Sequence, residues 1–257
     1  MRLFGSRKFS RTIEWRIVRR WMGSTRGRWL DLAGGSGEFS HQLAILGCRV
    51  VNVDYDLLGL GVSRTSTTLP ILAAAGDATA LPFANASFDA VLCNSAIEHF
   101  PDAATALREA ARILRPGGLL LLTADSFPED APAWFRWIPD AWRRPELRGN
   151  ARLASRMKAL HRERHGVVEY FTPVSIRRVV SNAGFDVESA TAYMNGPVSG
   201  SIYGLHVLLH RLDFYNALSR RLFPLFFPFT WREGGRESGY GVAVRARKRH
   251  PDDPALA

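Results

Sequence analysis

Lysine is almost missing from this chain: of 34 basic residues among 257, all but three are arginine, against 24 acidic residues, for a net charge of +10. Arginine pairs with phosphates and anionic headgroups, so the charge brings nucleic acid or a membrane surface to mind. The arginines are nevertheless spread along the whole chain: Arg16, Arg19, Arg20, Arg26 and Arg28 near the front, Arg143 to Arg164 in the middle, Arg220 to Arg249 at the end. An arginine-for-lysine bias of this extent also follows from codon composition in a GC-rich genome. Cysteine is scarce too. Cys48 and Cys93 both stand in apolar, strand-like contexts; two such residues exclude a disulfide framework and read as small core side chains of a reducing compartment. No uninterrupted apolar run approaches the ~20 residues that a membrane span requires. Met1 to Trp15 carries charge but no apolar h-region, so it does not read as a secretory signal, and the expectation is a cytoplasmic protein. The length suits one well-buried α/β domain with insertions and is too short for two.

What is present is a strand running into a glycine turn, Trp29-Leu30-Asp31-Leu32-Ala33-Gly34-Gly35-Ser36-Gly37, followed 17 residues later by Asp54 at the end of the apolar run Val50-Val51-Asn52-Val53. Glycine lets backbone approach a ligand where a Cβ would collide, and a helix beginning near Glu38 points its free N–H groups at the turn. An acidic residue closing the second strand is placed to accept both hydroxyl protons of a ribose. The dinucleotide fingerprint G-x-G-x-x-G is not completed, because Ser40 stands where the third glycine belongs. Glu38 suits the helix dipole but would repel a phosphate. The loop therefore fits an uncharged or cationic nucleoside better than a pyrophosphate.

Further along come Gly76-Asp77-Ala78 with Leu81-Pro82-Phe83, then Ser87-Phe88-Asp89-Ala90-Val91, Glu98-His99-Phe100-Pro101-Asp102 and Arg112-Ile113-Leu114-Arg115-Pro116-Gly117-Gly118. Each is weak alone, and Asp77 and Asp89 could serve as ordinary turn or strand-start residues. In this order and spacing the chain resembles the class I S-adenosylmethionine-dependent methyltransferases, in particular the group with the ubiquinone and menaquinone methyltransferases. The resemblance covers residues 28 to 125 well and 165 to 192 more loosely. It implies S-adenosylmethionine as cofactor, with Asp31, Gly35, Gly37 and Asn94 along the methionine end, Asp54 on the ribose and Asp77 at the adenine amino group. Ala33, Gly34, Tyr55 and Ala78 complete the implied cofactor residues. One departure is that Ala33 stands at the family's usual first loop glycine and Gly34 at its frequent cysteine. The related ubiquinone O-methyltransferases carry a glutamate three residues before the Glu-His pair, thought to help hold a divalent ion; Ser95 stands there in this chain, so no metal is expected.

The coarse order of elements is an amphipathic helix at 13 to 22, strand 28 to 33, helix 38 to 46, strand 48 to 53, a short helix near 57 to 64, strands 71 to 75 and 88 to 93, helix 102 to 114 and strand 118 to 124. A helix from Pro173 to Ala183, stopped by Gly184, and strands 186 to 192 and 240 to 247 follow. Alternating strands and helices predict an α/β fold, a seven-stranded, mostly parallel, doubly wound Rossmann-like sheet; the resemblance makes the last strand antiparallel. The expected organisation is an N-terminal amphipathic helix over 1–27 and a methyltransferase domain over 28–257. That domain is interrupted by insertions at 126–172 and 194–238, whose aromatic and aliphatic residues are expected to form a substrate cap.

A sulfonium methyl is already an activated electrophile, so the protein has chiefly to exclude water and align the acceptor. A base is needed only for a hydroxyl acceptor, and the candidates are His99, past the fourth strand, and His165. The sequence thus predicts methyl transfer to a small hydrophobic or lipid-linked acceptor, at oxygen in preference to carbon or nitrogen. Peripheral contact with anionic membranes at the inner face accompanies it as an expectation. The alternatives are an RNA methyltransferase, motivated by charge but lacking an appended RNA-binding module, and a non-catalytic nucleoside-binding domain. The acceptor and the oligomeric state are not legible.

Overall fold

Short apolar runs separated by amphipathic segments leave the strands only one way to bury both faces: a central sheet with helices above and below. The computed structural model describes residues 9–65, 69, 71–126, 159, 162, 166–194, 239 and 241–250. It contains α1 (Phe9–Met22), β1 (Arg28–Leu32), α2 (Glu38–Ile45), β2 (Arg49–Asp54), α3 (Leu57–Thr65), β3 (Ile71–Ala75), β4 (Phe88–Asn94), a single 3-10 turn (Ile97–His99), α4 (Ala103–Ile113), β5 (Leu114–Asp125), α5 (Pro173–Asn182), β6 (Phe185–Tyr193) and β7 (Gly241–Lys248). Most of the two expected cap insertions, and His165, lie outside the described residues.

The seven strands run in the order β3-β2-β1-β4-β5-β7-β6, parallel except for β7, which is antiparallel to both neighbours. The fold is the expected mostly parallel α/β sheet. The order reverses between β1 and β4, and in such sheets the ligand crevice opens beyond the carboxyl ends of the strands at that reversal. Asp31 pairs with Asn52 of β2 on one side and with Leu92 of β4 on the other, so the end of β1 stands at this point.

Alternate residues of each strand feed opposite faces. Trp29, Val50, Ala90, Leu92, Leu119 and Leu121 pack with Trp15, Val18 and Met22 of α1 and with Phe39 and Leu43 of α2. Leu30, Val51, Val53, Val91, Leu120 and Leu122 pack on the other face with Leu107 and Ala110 of α4 and Ile176 and Val180 of α5. Trp15 meets Phe39 edge to face at 5.7 Å, which fixes α1 against α2. Cys48 and Cys93 are buried and unpaired by disulfides.

Local chemistry sets the ends of the elements. Asp102 accepts from the Thr105 N–H at 2.9 Å to start α4. Thr172 and Ser175 form a reciprocal cap on α5 with Pro173 in its first turn, and Gly184, at φ 96°, stops it. Asp89 accepts from the Arg28 N–H at 2.6 Å and pairs with Arg115, so it is a structural tie between the starts of β1, β4 and β5. β5 starts at Leu114, four residues before the expected position. A register shift opposite Phe88 and Ala90 lets Arg115-Pro116-Gly117-Gly118 join the strand even though proline brings no N–H.

Candidate active site

The glycine turn is shaped by three left-handed residues, Ala33 at φ 55°, Gly35 at 52° and Gly37 at 76°. At Ala33 that conformation costs roughly 1–2 kcal/mol, since its Cβ crowds the following carbonyl. The glycine the site cannot do without is the next one. A Cβ on Gly34 would stand 2.6 Å from the Asp31 carboxylate and closer still to the Asn52 amide oxygen. Glycine at position 34 thus follows from the side chains that face it.

Around this turn the polar groups are tightly assigned. Asn52 donates to the Gly35 carbonyl at 3.0 Å, and the Gly35 N–H donates to Asp54 Oδ2 at 2.8 Å. Asp54 Oδ1 accepts from the Asp56 N–H at 2.9 Å, so the carboxylate ties the end of β2 to the loop. Ser40 of α2 donates to Asp31 Oδ2 at 2.6 Å, whereas Asp31 Oδ1 is buried with no hydrogen-bond partner among the described residues. Burial pushes the Asp31 carboxyl up to about 6, against the Ser40 hydrogen bonds and the charge of Arg11, which favour its ionised form.

Asp77 lies apart on an exposed turn, its Oδ1 accepting from the Thr79 N–H at 2.8 Å and the Thr79 hydroxyl at 2.7 Å; these bonds hold it below the usual carboxylate range. Tyr55 is 85% exposed beside Asp54, and Ala78 is half-buried against the core.

At the end of β4 a buried chain crosses three elements. The Thr123 hydroxyl of β5 donates to Asn94 Oδ1 at 2.9 Å, and Asn94 Nδ2 donates to Glu14 Oε2 of α1 at 2.9 Å. Sequence reasoning placed Asn94 here but missed Glu14. The available signal was a carboxylate at the position after Ile13 and before Ile17 and Val18, on the apolar stripe of α1, where a solvated acid does not belong.

The 3-10 turn places Glu98 and His99 in different environments. Glu98 is fully buried: Oε1 accepts from the Asp125 N–H at 2.9 Å and Oε2 has no partner among the described residues, while its carbonyl accepts from the Val168 and Glu169 N–H groups. One residue thereby pins the turn after β4, the end of β5 and the segment leading to α5. His99 is 39% exposed and sits 3.1 Å, through Nδ1, from the Gly166 carbonyl. A carbonyl only accepts, so Nδ1 is the donor in that bond, and in the neutral ring Nε2 is the acceptor.

Burial, and then the charge of Asp125, push the Glu98 carboxyl up to about 8. A carboxyl raised on folding binds its proton more tightly in the folded chain, so stability is full below the ordinary glutamate value of 4.5 and is lost as pH rises towards about 8. Glu98→Gln keeps an oxygen for the Asp125 N–H and places an NH₂ where the unpartnered oxygen stood. Denaturant unfolding at pH 5 to 8 is expected to show a flatter profile for the variant, more stable than wild type at pH 8 by on the order of 2 kcal/mol. Parallel profiles would contradict the raised carboxyl.

Comparison with known proteins bears on this arrangement directly. Residues 30–122, from β1 through β5, match the family described as a methyltransferase domain. This stretch is thus similar to a methyltransferase domain, and the sheet around it has the fold of the S-adenosylmethionine-dependent methyltransferases. The demethylmenaquinone methyltransferase of Beutenbergia cavernae is 43% identical over 106 residues, covering 41% of this chain and 43% of that relative. The protein of the same name from Renibacterium salmoninarum is 39% identical over 123 residues, covering 45% and 52%. The chain thus spans about half the length of these curated relatives, and the residues matched to the methyltransferase domain include the glycine turn, Asp54, Asp77 and Asn94. Among solved structures, an S-adenosylmethionine-dependent methyltransferase from Mesorhizobium loti superposes with a TM-score of 0.59 at 19% identity, covering 96% of this chain and all of that one; this likeness concerns the fold.

Proposed function

We propose that the chain transfers the methyl group of S-adenosylmethionine to a small hydrophobic or lipid-linked acceptor of reduced-quinone (hydroquinone) type, at a hydroxyl oxygen. The observation that carries this reading is the acidic, glycine-lined end of β1 and β2. The cofactor's methionine end carries an ammonium and a sulfonium, and the buried Asp31 Oδ1, without a hydrogen-bond partner among the described residues, is an acceptor suited to that positive charge. Gly34 leaves no space for a Cβ because Asp31 and Asn52 fill it, so glycine lets the turn close directly over the Asp31 carboxylate. A carboxylate such as Asp54, with lone pairs beyond its two backbone bonds, can accept from the ribose hydroxyls. The residues present fit the group.

In this reading Asp31, Ala33, Gly34, Gly35, Gly37 and Asn94 hold the methionine end, Asp54 and Tyr55 flank the ribose, and Asp77 and Ala78 meet the adenine. The cofactor supplies the activated methyl group. The protein aligns the acceptor with the carbon–sulfur bond and excludes water, and His99 Nε2 takes the hydroxyl proton. The relatives' name supports the acceptor class, and the apolar composition of 194–238 suits the same kind of molecule.

Asp54→Ala removes charge-assisted hydrogen bonds to the ribose and is expected to weaken S-adenosylmethionine binding about ten- to hundredfold in calorimetry, a loss of roughly 1.5–3 kcal/mol. Unchanged binding would remove Asp54 from the site. The activity is tested by incubating the protein with methyl-labelled S-adenosylmethionine and heat-killed cell lipids, RNA or small metabolites. Label in an apolar, base-stable lipid product supports the proposal; label in RNA alone, or in none of the pools, overturns it.

A further inference from the structure

We propose that α1 completes the cofactor site: Arg11 receives the carboxylate of the cofactor's methionine moiety, and Glu14 holds the helix in the rotation that brings Arg11 there. This inference rests on the S-adenosylmethionine reading above. Its first support is position. The Arg11 guanidinium carbon lies 5.8 Å from the centre of the Phe39 ring, in the first turn of α2, where that helix emerges from the glycine turn. A cation from a helix before the sheet thus stands at the same loop as Asp31 and Gly37.

The second support is charge. The crevice end of the sheet gathers Asp31, Glu38 and Glu14, a set that favours the ammonium and sulfonium of the cofactor but repels its carboxylate. Arg11 lies within electrostatic reach of all three. Its guanidinium has five N–H donors, and among the described residues its hydrogen-bond partner is Glu14, at 3.4 Å. That contact is long for a charge-assisted bond, whereas the Glu14 oxygen involved accepts at 2.9 Å from Asn94. Arg11 therefore keeps donors for a bidentate carboxylate, the geometry a guanidinium matches best.

The third support is the tie that aims it. Glu14 is 2% exposed, and the bonds from Thr123 through Asn94 to Glu14 fasten α1 to the ends of β5 and β4. Arg11, three residues earlier, shares Glu14's side of the helix. An isolated structural ion pair would need neither the depth of Glu14 nor the proximity of Arg11 to the glycine turn.

The test titrates the full chain calorimetrically with S-adenosylhomocysteine and with 5′-methylthioadenosine, which keeps the adenine, ribose and sulfur but lacks the amino-acid end. Arg11→Gln is expected to weaken S-adenosylhomocysteine binding about ten- to hundredfold while leaving 5′-methylthioadenosine within about twofold, and Arg11→Lys to recover part of the loss. No loss for S-adenosylhomocysteine, or equal losses for both ligands in Arg11→Gln and Arg11→Lys alike, would overturn the role of Arg11 and leave the cofactor reading standing. A wild type that binds neither ligand would overturn both.

Discussion

Gly34→Ala is expected to lower S-adenosylmethionine affinity by at least roughly a hundredfold, equivalent to about 2.7 kcal/mol, and to destabilise the fold by roughly 1–3 kcal/mol. The added Cβ would stand 2.6 Å from the Asp31 carboxylate and nearer still to the Asn52 amide oxygen. Neither neighbour can step aside. Asp31 is held by Ser40 at 2.6 Å within a fully paired strand, and Asn52 is held by the Gly35 carbonyl at 3.0 Å on the strand beside it. The turn itself must therefore move, and it carries Gly35 and its bond to Asp54 along. Titration and denaturant unfolding read the two effects separately. A variant with wild-type affinity and midpoint would mean that the loop is looser than its contacts imply.

His99→Ala is expected to lower turnover by about 10²- to 10⁴-fold with little change in cofactor affinity, if the acceptor is a hydroxyl whose proton His99 takes. The rival role is a latch: the same ring bonds the Gly166 carbonyl at 3.1 Å and so holds the segment before α5 against the turn after β4. The two roles separate by substitution. His99→Asn keeps a donor for that carbonyl but offers no comparable base, so under the catalytic role it is as slow as His99→Ala. Under the latch role it recovers. Near-normal turnover in His99→Ala would remove the residue from catalysis altogether.

The fold was legible because its elements are local. Apolar runs of five to seven residues, a proline in the first turn of α5 and Gly184 at its end are signals contained in a few neighbouring positions. The glycine turn and Asp54 were legible for the same reason, being two ends of one β-α-β unit. What escaped is made by pairs far apart in the chain. Glu14 and Asn94 are 80 residues apart, and Glu98 meets the N–H of Asp125 across 27. No periodicity marks such a pair; each residue alone resembles a surface helix acid or a loop motif. The reason for glycine at 34 lay likewise on the neighbouring strand, in Asn52, whose side chain faces it only once β1 and β2 are in register.

The central claim is that the cradle between β1 and β2 holds S-adenosylmethionine. Its most direct test is calorimetric titration of the purified full chain with S-adenosylmethionine and, in parallel, with NADH. One molecule of S-adenosylmethionine per chain, bound at micromolar concentration or tighter, with no heat from NADH, is the predicted result. Tight NADH binding, or no S-adenosylmethionine binding by a folded wild type, would contradict it.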